Sequence, residues 1–191
     1  MLTRFAIAAA TLAAATVPAF AHLDPVAHGS LAAGASHPLL GWDHVLVMVA
    51  VGLWAATLGG RARLAVPVAF VAAMGAGFVL ALNGLSLPFV EPVVMASVVA
   101  LGLLVAAAAR LPVPAAAAAV GAFALFHGSA HGAELGSAGA LSFGLGFVVA
   151  TAALHGVGLA LGHSLTAGRQ PLIVRALGAA SALAGLYMIA A

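Results

Sequence analysis

The chain contains no cysteine and no lysine, and charge of either sign is scarce. Without cysteine there is no disulfide, no thiolate metal site and no cysteine nucleophile. Without lysine there is no phosphate-binding GxxxxGK[ST] loop, so no ATPase within this chain drives its activity. Charged residues make up 5% of the 191 positions, against about 25% in a soluble domain. The hydrophobic share is 65% and the mean hydropathy is +1.24. Too few polar side chains exist to cover a globule in water, so the solvent of this chain is lipid. The bases are all arginine (Arg4, Arg61, Arg63, Arg110, Arg169 and Arg175) and the acids are Asp24, Asp43, Glu91 and Glu134. An excess of six over four is far from the basic stripe of a nucleic-acid binder. What is present in excess is histidine, at eight residues.

Residues 1–21 read as a signal peptide. Arg4 supplies a positive start, Phe5 to Val17 an apolar run, and Ala19-Phe20-Ala21 a small-x-small cleavage site. Cleavage would make His22 the first residue of the mature chain. Residues 22–191 then form a single transmembrane domain. Six apolar segments follow, at 37–58, 64–82, 89–109, 112–131, 139–162 and 172–190. Each is close to the ~20 residues a helix needs to cross ~30 Å of hydrocarbon. Gly59-Gly60, Asn83-Gly84, Pro88, Pro112, Gly132, Gly168 and Pro171 punctuate them. No segment alternates as a strand does, so the expected fold is an all-α polytopic bundle of six transmembrane helices. Gly75-Ala76-Gly77, Gly144-Leu145-Gly146 and Gly156-Val157-Gly158 suit close helix packing in lipid.

Arginine placement sets an orientation. With both termini on the outer, periplasmic side of a bacterial inner membrane, Arg61, Arg63, Arg110 and Arg169 all fall in cytoplasmic loops. Arg175 lies in the first turn of the last helix, on the same side. This is the distribution the positive-inside rule demands.

The first segment opens His37-Pro38-Leu39-Leu40-Gly41-Trp42-Asp43-His44. In one continuous helix His37 and His44 share a face, ~10 Å apart along the axis. Met48 lies one turn beyond His44, and Asp43 is near enough to orient His44 or share its cation. An aspartate at mid-bilayer costs roughly 2.5–3.5 kcal/mol on insertion scales, so it wants a partner. The fourth segment ends His127-Gly128-Ser129-Ala130-His131-Gly132-Ala133-Glu134. His127 and His131 stand at i, i+4 on one face, and Glu134 extends that row. The spacing is that of the HExxH metal pair, but no glutamate sits between the histidines, so the protease motif is absent. His155 lies deep in the fifth segment, where an imidazole must face the bundle or a wet cavity. Glu91 marks the outer end of the third segment. His22 and His28, in the polar leader, are further candidates to gather a cation outside.

Imidazole and carboxylate ligands suit nickel and cobalt, and zinc nearly as well. The cation is cargo; no prosthetic group is expected. Imidazoles must be unprotonated to bind, so uptake should weaken at low pH.

At these motifs the chain resembles the HupE/UreJ family of nickel/cobalt permeases. The residues that carry the resemblance are His37-Pro38, Gly41, Asp43-His44 and Met48, then Phe126-His127-Gly128 with Ala130-His131-Gly132 and Glu134, then Ala153-Leu154-His155-Gly156. The resemblance implies inward secondary transport of Ni²⁺ or Co²⁺, supplying hydrogenase or urease maturation. It implies metal roles for His37, Asp43, His44, His127, His131, Glu134 and His155. Larger nickel/cobalt permeases carry a related HX4DH signature. Here His37 is one residue further from Asp43-His44, so their coordination geometry does not transfer.

One rival is an intramembrane zinc hydrolase, with His44, His127 and His131 holding zinc and Asp43 handling a water. It requires a closed three-histidine site and a lateral opening for substrate. A second rival, haem ligation, requires two histidines facing each other across a haem-wide gap. A purely structural membrane protein leaves the histidine excess without a cause.

Overall fold

A computed structural model describes residues 29–135 and 139–191, without the Glu134 side chain. The signal segment 1–21, His22 and His28 lie outside the described residues. Among the described residues the chain is wholly helical, in seven helices: α1 (Leu31–Leu40), α2 (Trp42–Leu58), α3 (Ala62–Leu82), α4 (Val90–Ala106), α5 (Val113–Leu135), α6 (Ala140–Ala167) and α7 (Pro171–Ala190). Four of these are long and apolar enough to cross a membrane: Ala62–Leu82, Val113–Ala133, Ala140–Ala167 and Pro171–Ala190. α1 and α2 make a fifth crossing if counted as one broken span, and α4 is apolar but shorter.

The segment expected as one helix from 37 to 58 is instead two helices, bent by 82° at Gly41. The first begins earlier, at Leu31, where the Ser30 hydroxyl accepts from the Ala33 amide at 3.0 Å and caps the helix. It holds Pro38 and stops at Gly41, whose backbone is extended (φ −91°, ψ 115°). That φ is open to any residue; what Gly41 supplies is space. A β-carbon there would lie 2.8 Å from Asp43 Oδ1 and 2.9 Å from His44 Nδ1. The expectation of His37 and His44 on one helical face is thereby corrected. They sit on different helices.

The helices pair closely: α3 with α5, α4 with α7, and α6 with both α1 and α2. Glycines set these contacts reciprocally. A β-carbon on Gly52 of α2 would meet the His155 backbone of α6, and one on Gly158 would meet the Val49 backbone of α2. Gly77 and Gly128 do the same between α3 and α5, and Gly102 and Gly178 between α4 and α7. In lipid, where apolar surface gains nothing by leaving solvent, such backbone approach is what holds helices together. Each Gly-x-Gly pair contributes one such residue: Gly77, Gly146 and Gly158 abut backbone, whereas Gly75 and Gly156 meet nothing. Met48, Trp54, Phe70, Met74, Leu101 and Phe147 fill the interior. Leu64, Leu141, Leu172, Leu183 and Tyr187 point outward.

Two side chains tie one end of the bundle together. Trp54 Nε1 donates to the Ala109 carbonyl and Arg175 Nε to the Ala106 carbonyl, both at 2.8 Å. The arginine-bearing turns therefore share an end with the C-terminus of α4 and the start of α7.

Candidate metal-handling site

At the opposite end, four histidines from three helices converge. The break at Gly41 folds α1 back so that His37 reaches the cluster from the side. Its ring centroid lies 4.2 Å from that of His131 and 5.9 Å from that of His44. His44, in the first turns of α2, lies 4.8 Å from His131 and 5.1 Å from His127 by the same measure. His127 and His131 project from one face of α5, as their i, i+4 spacing requires. Relative exposures are 5% for His44, 0% for His127 and 5% for His131, while His37 is half-buried. Phe147 of α6 closes one side, 4.9 Å from His131 and 6.1 Å from His44.

The ring nitrogens have distinct partners. His44 Nε2 and His131 Nε2 are 2.7 Å apart, a direct hydrogen bond in which one nitrogen carries the proton and the other accepts it. On its other side, His44 Nδ1 lies 3.0 Å from Asp43 Oδ1, at ion-pair distance but without the alignment of a hydrogen bond. A carboxylate accepts and never donates, so it favours a proton on Nδ1 of His44 and leaves Nε2 as the acceptor. His127 Nε2 is 2.9 Å from Ser97 Oγ of α4.

Among the described residues, no three histidines or carboxylates stand as a ready-made metal-binding group. The spacing explains this. Two imidazole nitrogens sharing an ion at about 2.1 Å each stand about 3 Å or more apart, and the 2.7 Å between His44 and His131 is too close for an ion between them.

His155 lies apart from the four. It is 2% exposed, stands edge-on to Phe70 at 5.0 Å, and neither ring nitrogen has a hydrogen-bond partner. Phe70 also lies 5.8 Å from His127, so this one ring touches both the cluster and the deeper histidine. One turn along α6 from His155, Thr151 donates to the Met74 sulfur at 3.7 Å, with Met74 one turn from Phe70 on α3. Buried side chains of α6 (Phe143, Phe147, Thr151, His155) thus face a buried row of α3 (Phe78, Met74, Phe70).

Other candidates are placed less centrally. Met48 is wholly buried one turn beyond His44. Glu91 is exposed in the first turn of α4. Glu134 lies on α5, and its side chain is outside the described residues. Sequence reasoning missed Ser97, Phe70 and Thr151. Ser97 had a signal, being the sole polar residue between Glu91 and Arg110.

Residues 9–188 match the family model described as HupE / UreJ protein. The chain is 45% identical over 182 residues to Protein HupE of Rhizobium leguminosarum bv. viciae, covering 94% of this chain and 95% of that protein. No solved structure matches.

Proposed function

The chain belongs to the HupE/UreJ family, and from that premise we propose that it carries nickel or cobalt across the bacterial inner membrane for hydrogenase or urease maturation. The observation that carries this reading is the cluster of His37, His44, His127 and His131 inside an otherwise apolar bundle. Intramembrane ionisable groups are expensive and mark transport paths or relays. Asp43 is the acidic member of this group, and Glu134 and Glu91 extend it toward the outer face. Met48 lines the path below His44. His22 and His28 gather metal ahead of it.

Binding needs only a small opening of the cluster. Separating His44 from His131 by a few tenths of an ångström, with the His131 proton shifting from Nε2 to Nδ1, turns both Nε2 lone pairs toward one cation. His155, beyond Phe70, is the next station inward. A path of exchanging ligands at successive depths suits transit better than one closed site. A resident catalytic zinc would instead want three preformed protein ligands, so the hydrolase reading is not favoured.

In this reading all six apolar segments cross the membrane. α1 and α2 form one broken span, and α4 is the short crossing. The arginine-bearing end faces the cytoplasm.

The test is uptake by the full chain in sealed vesicles, using radiolabelled nickel with cobalt and zinc as competitors. Saturable nickel entry, suppressed by cobalt, is expected. Entry no faster than into empty vesicles, with the protein verified as inserted, would overturn the proposal.

A further inference from the structure

Ser97 has one hydroxyl proton and two close neighbours. Its Oγ lies 2.6 Å from the Val94 carbonyl and 2.9 Å from His127 Nε2. A carbonyl oxygen only accepts. If the Ser97 proton pointed at His127, two bare oxygens would face each other at 2.6 Å in a wholly buried place. The proton therefore goes to Val94, and His127 must donate from Nε2 to Ser97 Oγ. A neutral imidazole that donates from Nε2 carries its lone pair on Nδ1. His127 Nδ1 is buried and has no hydrogen-bond partner. Its ring lies beside His44 at 5.1 Å.

We propose that Ser97 is a positioning residue that holds His127 as the Nε2–H tautomer and so makes Nδ1 its metal-ligating nitrogen. The inference rests on the reading of His127 as a ligand and deepens it by naming the atom. It also gives α4, which contributes no histidine, a part in the site: a fixed acceptor on a neighbouring helix selects the tautomer and ring orientation of a ligating histidine. The side chain is suited to this. Ser97 is fully buried, and its bond to Val94, one turn back on its own helix, prevents the hydroxyl from rotating.

The experiment uses the full chain with ¹⁵N-labelled histidine, with the His127 signals identified by their loss in His127→Gln. In the unsubstituted protein, Nε2 is expected to show the shift of a protonated ring nitrogen and Nδ1 that of a bare one. Ser97→Ala should mix or reverse that pattern and raise the half-saturating nickel concentration for uptake by about 10- to 100-fold. Ser97→Thr, which keeps the hydroxyl, should restore both. A protonated Nδ1 in the unsubstituted protein overturns the proposal, as does a Ser97→Ala protein unchanged in spectrum. A changed spectrum with unchanged half-saturation overturns the ligand role of Nδ1. The spectrum reads the hydrogen bond whether or not the chain moves metal, so failure of the transport reading shows in uptake alone.

Discussion

His44 Nε2 and His131 Nε2 lie 2.7 Å apart although 87 positions separate the two residues in the chain. This contact joins the start of α2 to the end of α5 and occupies the nitrogens a cation would need. The two rings are thus held together by one proton shared between their Nε2 atoms.

Removing either partner should show in two measurements. His44→Ala or His131→Ala leaves a buried imidazole nitrogen without its partner, a loss of about 1–3 kcal/mol. Thermal unfolding in detergent should register it, and the double variant should lose less than the two singles added, because they break one shared contact. Nickel uptake should fall to the level of empty vesicles in each. Normal uptake by both single variants would remove the cluster from the path.

His155 offers a cleaner separation of stability from transport. Neither of its ring nitrogens is hydrogen-bonded, so an apolar residue of similar size sacrifices no contact. His155→Leu should match or exceed the parent in thermal stability, since it removes an unsatisfied buried polar group. Its nickel uptake should nevertheless drop at least about tenfold, as loss of a station on the path requires. Undiminished uptake would make His155 a bystander.

Two glycines on α6 should respond oppositely. Gly158 lies against the Val49 backbone of α2, whereas Gly156, two residues earlier, faces open space. Gly158→Ala should destabilise the protein by about 1–3 kcal/mol through overpacking. Gly156→Ala should stay within about 0.5 kcal/mol of the parent. Equal melting temperatures for the two variants would contradict the α2–α6 contact.

Absence of cysteine makes the topology directly measurable. A single cysteine at Gly60→Cys should be protected from a membrane-impermeant thiol reagent in intact cells, and one at Gly84→Cys should be labelled. Labelling of both from outside would show that α3, which separates them, does not cross.

Much of the architecture was legible because lipid imposes one simple rule. Every backbone polar group must be satisfied within the segment, so the runs ending at Leu58, Leu82 and Ala190 had to be helices. The candidate site was legible as a list of histidines, since few other polar side chains interrupt those runs. Its assembly was not. The apolar runs look much the same on every face, so nothing in them tells which face meets a neighbour. The half of each Gly-x-Gly pair that abuts a backbone therefore could not be read in advance.

By itself, then, the sequence determined that the chain is helical and apolar enough for a multi-pass membrane protein, that Arg61, Arg63, Arg110, Arg169 and Arg175 fall at one end, and which imidazoles are available. Those properties follow from composition, segment length and spacing, which are local. Only the tertiary structure decided that the chain breaks at Gly41 and brings His37 beside His131, that Phe70 packs against both His127 and His155, and that Ser97 of α4 meets His127 of α5. These relations depend on how closely helices approach and at what angle. That is set by contacts between residues far apart in the chain.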